Sequence, residues 1–177
     1  MKRTTLALVR VRRSPLDRTR GSLVAGAMAI PCALGRTGPR RNKREGDGAS
    51  PVARLRVLGG FYRADRQPRP RTLLRLRPIR AEDGWCDEPA DRNYNRPVRR
   101  PYPASHEAMR RDDALYDVVL DLAWNRGPIV KGRGSAIFLH LARPDFAPTQ
   151  GCVAIPATAV RRLLARIGPR TRIEIVG

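Results

Sequence analysis

The segment FLHLARPDFAPTQGCVAIP, residues 138–156, places His140 twelve positions before Cys152, and Cys152 directly follows Gly151. A cysteine acts as a nucleophile through its thiolate, which a neighbouring imidazole can stabilise. Gly151 permits a tight backbone approach, so that N–H groups around Cys152 could point at a developing oxyanion. These residue types are those of a catalytic pair in which a thiol is the nucleophile. The alternative is that Cys152 is a small buried hydrophobe and His140 a structural residue.

The elements around this pair must bring the two side chains together. Residues 134–141 form a compact apolar run that predicts a strand, and its alternation places Ala136, Phe138 and His140 on one face. His140 ends this strand, where a side chain can reach a cleft. The following segment, ARPDFAPTQG, is rich in turn residues and can fold the chain back toward His140. The geometry of a catalytic pair is therefore feasible.

The rest of the chain predicts a mainly β domain with one late helix. Apolar residues at helical spacing predict a helix from 157 that ends at Gly168-Pro169. Alternating or compact apolar runs predict the strands, and dense charge, Gly and Pro predict surface loops. The predicted strands are 22–35, 53–63, 115–123, 134–141 and 172–177, and the predicted loops are 40–51 and 63–72.

Residues 84–113 show neither the helical nor the strand periodicity of apolar residues over most of their length. We therefore expect a long ordered loop with one helical turn near 105–112. Long loops in compact domains are usually functional or disordered. Trp85, Tyr94 and Tyr102 favour the ordered, functional case.

The length of 177 residues is that of a single domain. We expect residues 1–20 to be a basic, flexible segment and residues 21–177 to be the folded domain. Arg10, Arg12 and Arg13 interrupt any apolar run near the start, which makes a poor signal peptide. The run 22–35 is short for a membrane span, and we prefer a buried strand there to a delayed export signal.

The composition weighs against several other classes of protein. Three cysteines without metal-ligand spacing predict neither a disulfide framework nor a metal site, and no cofactor is expected. The net charge of +20 would attract nucleic acid, so a basic nucleic-acid-binding protein is an alternative. However, only three basic residues are lysines, which favours a GC-rich coding bias, and no nucleic-acid recognition motif accompanies the charge.

Other polar and aromatic residues are weaker site candidates. His106 is expected in the first turn of a helix, where it would be solvated. Tyr116 and Trp124 are expected to serve core packing rather than a cleft. Asp117 and Asp121 are expected on an exposed strand face, and together with Asp112 and Asp113 they are not expected to bind a metal.

The His140 to TQGCV pattern resembles the signature of L,D-transpeptidase catalytic domains of the YkuD type, in which a histidine precedes a [Ser/Thr]-x-Gly-Cys-[Val/Ile] motif. The loop NKREGDGASP, the strand GSAIFLH and the closing helix and strand also resemble that family, over roughly residues 21–177. The sequence departs from the family in its short gap between His140 and Cys152. It also has Ala154 where many members carry Asn or Arg, and SPVARL lacks the usual Gly of the Thr-Pro-x-Gly pattern.

The resemblance implies a β-sandwich or barrel and a cysteine acyl-transferase that acts on peptidoglycan stem peptides in cell wall biogenesis and cell shape. It implies that Cys152 is the nucleophile, that His140 is its base, and that Gly151 and the Cys152 N–H form the oxyanion site. Thr149 matches the hydroxyl position of the motif. L,D-carboxypeptidase activity, or another cysteine hydrolase activity on peptidoglycan fragments, stays an alternative.

The resemblance also implies a location in the cell envelope or periplasm. The cytoplasm is the alternative location, because the signal peptide is poor.

Overall fold

The computed structural model describes residues 5–177. In this range the chain forms fourteen strands and one helix. In chain order these are β1 (Leu8–Arg13), β2 (Arg20–Ala25), β3 (Met28–Ala33), β4 (Pro39–Arg40), β5 (Ser50–Pro51), β6 (Ala53–Tyr62), β7 (Leu76–Pro78), β8 (Asp83–Cys86), β9 (Pro97–Arg99), β10 (His106–Ala108), β11 (Val118–Leu122), β12 (Phe138–Leu141), β13 (Val153–Ile155), α1 (Ala157–Leu164) and β14 (Arg172–Val176).

Eight strands form a closed ring in the order β11-β12-β13-β3-β2-β1-β14-β6, because β6 pairs again with β11. β7 adds to β6 outside this ring. Side chains alternate across each strand, so one set points into the ring and the other points out. Leu139 and Leu141 of β12 belong to the inner core, whereas Phe138 and His140 point outward. The mainly β fold with one late helix is confirmed.

The inner core is a continuous apolar cluster from the barrel strands and α1. Val160, Leu163 and Leu164 on one face of α1 are buried against it. Burying an aliphatic side chain of this size contributes about 1.5–3 kcal/mol. The predicted helix is confirmed from its start at Ala157, although its regular part ends at Leu164.

A second sheet of three strands, which we call the small sheet, has the order β10-β8-β9 and covers the outer side of the barrel near β11 and β12. Trp85 of β8 packs edge-to-face on Phe138 with ring centroids 5.0 Å apart. The predicted loop over 84–113 is therefore wrong in part, since the segment is ordered but contains three short strands and no helical turn near 105–112. These strands have three or four residues each, too few for a period to be visible in the sequence.

The N-terminal segment differs from the sequence prediction in the residues that the structure describes. β1 is an integral barrel strand between β2 and β14, and its Val9 and Val11 are fully buried. The prediction of a flexible segment over residues 1–20 is therefore wrong for β1, and residues 1–4 lie outside the described range. The predicted strand 22–35 is a hairpin of β2 and β3 that turns at Gly26.

Candidate active site

The parallel pair β12 and β13 positions the two residues of the predicted catalytic pair. His140 lies opposite Ala154 in this pair, and Cys152 immediately precedes β13. Both side chains line one cavity of about 360 Å³ on the outer side of the barrel. The structure therefore brings Cys152 and His140 to the same cavity, as predicted.

The thiol and the imidazole each have a backbone partner. The Cys152 thiol donates to the Ala136 carbonyl at 3.2 Å and accepts the Phe138 N–H at 3.3 Å. His140 Nδ1 lies 2.9 Å from the Leu141 carbonyl oxygen. A carbonyl oxygen only accepts, so Nδ1 carries a proton in this bond and Nε2 of the neutral ring is left as the basic atom.

Burial keeps both members of the pair neutral. It raises the pKa of the Cys152 thiol to about 12, and the nearby Glu107 carboxylate adds to this effect. It lowers the pKa of His140 to about 4. The sequence allows a thiolate stabilised by a neighbouring imidazole, but at neutral pH this pair holds a thiol beside a neutral imidazole. A base of this kind takes the thiol proton during the attack rather than before it.

Thr149 and Gly151 shape the turn that carries Cys152. The Thr149 hydroxyl accepts the Gly151 N–H at 3.1 Å and donates to the Cys152 carbonyl at 2.7 Å. Gly151 has φ +136°, and a Cβ there would lie 2.7 Å from the Ala49 carbonyl oxygen. Glycine is therefore required by both the conformation and the space. Since Thr149 takes the Gly151 N–H, an oxyanion role for that N–H stays a prediction.

The cavity wall carries charges of both signs. Glu45, Asp87 and Glu107 contribute carboxylates, whereas Arg111 and Arg143 contribute guanidinium groups. Both arginines also contact Asp113, at 2.8 and 3.6 Å. One buried oxygen of Asp87 has no hydrogen-bond partner among the described residues. The cavity can therefore receive polar substrate groups of either charge.

Tyr116 contacts both Glu107 in the cavity wall and the His140 imidazole. Its hydroxyl lies 2.5 Å from Glu107 Oε1, and its ring centroid lies 5.3 Å from that of His140. Burial raises the pKa of Glu107 and that of Tyr116, so the phenol stays protonated and donates. The sequence pattern predicts core packing for Tyr116 and does not indicate Glu107 as a site residue. The position of Glu107 depends on the pairing of β10 with β8, for which the sequence has no local pattern.

Several other sequence candidates lie elsewhere. His106 is in β10 rather than in a helix, and its Nδ1 lies 2.7 Å from the Ala104 carbonyl oxygen. Trp124 is buried in the inner core. Asp117 pairs with Arg66 at 2.8 Å.

Asp121 is buried rather than exposed as predicted, and burial raises its pKa to about 6. Within residues 5–177 no group of three or more His, Cys, Asp or Glu side chains is arranged to hold a metal ion.

Replacing Thr149 with valine should destabilise the turn that holds Cys152. The valine keeps the shape but leaves the Gly151 N–H and the Cys152 carbonyl without this partner, a loss of about 1–3 kcal/mol in the free energy of unfolding. Urea unfolding measures it, and Thr149→Ser, which keeps the hydroxyl, is the matched control. Equal stability of the valine and serine variants would contradict this role.

A mainly β barrel with a thiol and an imidazole in one outer cavity defines a candidate thiol enzyme. The model of the L,D-transpeptidase catalytic domain family matches residues 18–175, nearly the whole chain. The chain therefore belongs to the L,D-transpeptidase catalytic domain family.

A comparison with solved structures finds L,D-transpeptidase 1 of Mycobacterium tuberculosis at 9% sequence identity and a TM-score of 0.42. The aligned region covers 96% of this chain and 62% of that protein, so this chain spans less than two thirds of its length. No curated protein matches the sequence significantly. Among the described residues, no helix has the length and apolar character needed to cross a bilayer.

Proposed function

We propose that this protein is a cysteine acyl-transferase that forms a thioester with a peptidoglycan stem peptide and passes the acyl group to an amine. The observation that carries the proposal is the shared cavity of Cys152 and His140, in a chain of the L,D-transpeptidase catalytic domain family. The proton on His140 Nδ1 is committed to the Leu141 carbonyl, which leaves Nε2 as the base. In this proposal Cys152 is the nucleophile.

The first half-reaction forms the thioester. The Cys152 sulfur attacks the carbonyl carbon of the donor peptide bond while the thiol proton passes to His140 Nε2. The Cys152 N–H, which makes no hydrogen bond to another described backbone group, is suited to stabilise the oxyanion. The C–N bond then breaks, and the terminal amino acid leaves as an amine with the proton from His140.

The second half-reaction releases the enzyme. An acceptor amine attacks the thioester carbonyl, its proton passes to His140 Nε2, and the C–S bond breaks. The proton then returns to the departing Cys152 sulfur, which restores the thiol. Water in place of the amine would give a carboxypeptidase.

The carboxyl groups of the cavity wall offer a binding position for an acceptor amine. Glu45, Asp87 and Glu107 face the cavity that contains Cys152, and a buried oxygen of Asp87 is without a partner among the described residues. Carboxylates attract an ammonium group and can hydrogen-bond to it.

Incubation with a tetrapeptide-bearing muropeptide tests the proposal. Mass spectrometry should detect release of the terminal amino acid and a cross-linked product when a second muropeptide supplies the amine. A product that is only the shortened peptide, at every acceptor concentration, would identify a carboxypeptidase. No thiol-dependent product of either kind would contradict the proposed function.

As part of this proposal the protein works in the cell envelope, where peptidoglycan lies. Fractionation of cells that produce the full-length protein, with detection in each fraction, tests this location. Recovery from the cytoplasm alone would contradict it.

A further inference from the structure

The outer surface of β1, β14 and β6 is an exposed basic face on the barrel. Val9 and Val11 of β1, Ile173 and Ile175 of β14, and Leu55 and Val57 of β6 point into the core, so the alternate residues point outward. The register aligns these outward residues in rows across the three strands. We call this surface the arginine face, and its charged residues are Arg10, Arg12, Arg54, Arg56, Arg172 and Glu174.

The charges on the arginine face are only partly compensated. Glu174 binds Arg10 at 3.0 Å and Arg54 at 2.7 Å, and these contacts hold the pKa of its carboxyl below the usual range. Arg12 and Arg56 are exposed, and no described carboxylate forms an ion pair with either of them. The face therefore carries five guanidinium groups against one carboxylate.

The charge of the whole chain is unevenly distributed. Residues 82–121, which include the small sheet over the candidate site, contain ten of the 16 acidic residues but only six of the 36 basic ones. The acidic residues are therefore concentrated beside the candidate site, and the remainder of the chain, which includes the arginine face, carries 30 basic residues against six acidic ones. An anionic partner would be attracted to one side of the protein.

Apolar side chains lie between the arginines. Val24 is 36% exposed, Leu58 40% and Val176 37%, and all three point outward from the same group of strands. Val24 lies beside Arg10, and Val176 lies beside Arg12 in the strand register. Guanidinium groups mixed with aliphatic side chains suit the boundary of a phospholipid bilayer, where headgroups bind charge and acyl chains accept apolar groups.

The arginine face carries no aromatic side chain at these outward positions. Proteins that bind single-stranded nucleic acid without sequence preference stack bases on aromatic side chains, in addition to contacting phosphates. The mixture of arginine and aliphatic residues therefore fits an anionic lipid surface better than a nucleic acid.

The topology directs the arginine face away from the candidate site. β1 is four strands from β12 in either direction around the closed ring of eight. Outward residues of β1 and outward residues of β12, such as His140, therefore point to opposite sides of the barrel. A surface bound by the arginine face would leave the cavity with Cys152 open on the far side.

From this combination we propose that the arginine face docks the protein on the surface of an anionic phospholipid bilayer, with the candidate site facing away from the lipid. The proposal needs no acyl-transfer activity and goes beyond the proposed function. It predicts that binding depends on where the charges lie and not only on their sum.

Sedimentation with vesicles of phosphatidylglycerol and phosphatidylcholine tests the proposal. The full chain should bind these vesicles and not pure phosphatidylcholine, and added salt should weaken the binding. The double variant Arg12→Glu/Arg56→Glu should bind at least about 30-fold more weakly, given the usual contribution of a basic residue near an anionic surface. If charge reversal disturbs folding, the variant Arg12→Gln/Arg56→Gln replaces it, and its loss of affinity for the vesicles should be smaller.

The matched control is Arg92→Glu/Arg96→Glu, which changes the net charge equally at exposed positions beside the small sheet. It should bind within about threefold of the unmodified chain, since only the arginine face is in contact with lipid. Equal losses in the two double variants would show that net charge alone drives binding and would overturn the proposal. Unchanged binding of Arg12→Glu/Arg56→Glu would overturn it as well.

A parallel binding measurement with nucleic acid distinguishes an anionic lipid surface from nucleic acid as the partner of the arginine face. The same variants are measured against duplex DNA and single-stranded RNA at the same salt concentration. Binding to nucleic acid that depends on Arg12 and Arg56, without detectable binding to anionic vesicles, would assign the face to nucleic acid and overturn the lipid proposal. Acylation of Cys152 should be unchanged in the face variant, because the site lies on the opposite side.

Discussion

Replacing Cys152 with alanine is expected to abolish formation of an acyl-enzyme and to lower turnover by about 10⁴-fold or more. Without the sulfur, the cavity contains no atom that can form the thioester, and His140 has no thiol proton to take. Mass spectrometry after exposure to a carbapenem measures the first effect, because the strained lactam carbonyl is an acyl donor for a reactive thiol. The unmodified chain should gain one adduct.

The other two cysteines are the controls for this experiment. Cys32 lies in the inner core, and burial raises its pKa to about 12. Cys86 is the last residue of β8 in the small sheet, and burial raises its pKa too. Neither side chain lines the cavity that Cys152 lines. Cys32→Ala and Cys86→Ala should therefore keep the adduct. An adduct that persists in Cys152→Ala would remove Cys152 from the mechanism.

The parts of the fold that sequence predicted correctly are those with a local physical cause. Leu55 and Val57 alternate with Arg54 and Arg56, which is enough to predict the half-buried strand β6. The helix also follows from its own spacing of apolar residues. Both patterns need no knowledge of the rest of the chain.

β1 was missed although it has the same alternation. Val9 and Val11 face the core and Arg10 and Arg12 face solvent, yet the high density of arginine in this segment favours the prediction of a flexible segment. The partner that fixes β1 is β14, more than 150 residues later in the chain, and its register cannot be obtained from either segment alone.

The same distinction applies to the candidate site. Cys152, Gly151 and Thr149 lie in one short motif, and His140 lies on the preceding strand, so local reasoning found all four. Other residues reach the site through contacts between distant parts of the chain. The Ser50 hydroxyl, for example, lies 3.4 Å from the Cys152 carbonyl oxygen.

Glu107 reaches the cavity only because β10 pairs with β8. The protonation state of the pair also required the structure, since it depends on burial that the sequence does not specify.

Replacing His140 with glutamine should slow alkylation and acylation of Cys152 by roughly 10²–10⁴-fold near neutral pH. Glutamine lacks a basic ring nitrogen, so no group in its place can take the thiol proton during the attack. The pKa of Cys152, about 12, leaves almost no thiolate to react without that base. Iodoacetamide alkylation followed across pH measures the effect in both proteins.

The two pH profiles should differ in shape as well as in height. With a pKa of about 4, His140 is neutral and able to accept a proton above that pH, so the unmodified chain should react at a nearly constant rate from about pH 6 to 9 and lose reactivity below about pH 5. In His140→Gln the rate should rise about tenfold per pH unit toward the pKa of the thiol, because only pre-formed thiolate reacts. His106→Gln, which changes the other histidine of the chain outside the cavity, should keep the profile of the unmodified protein. Superimposable profiles for His140→Gln and the unmodified chain would mean that the imidazole does not act on the thiol, and the acyl-transfer mechanism proposed for this site would then be wrong.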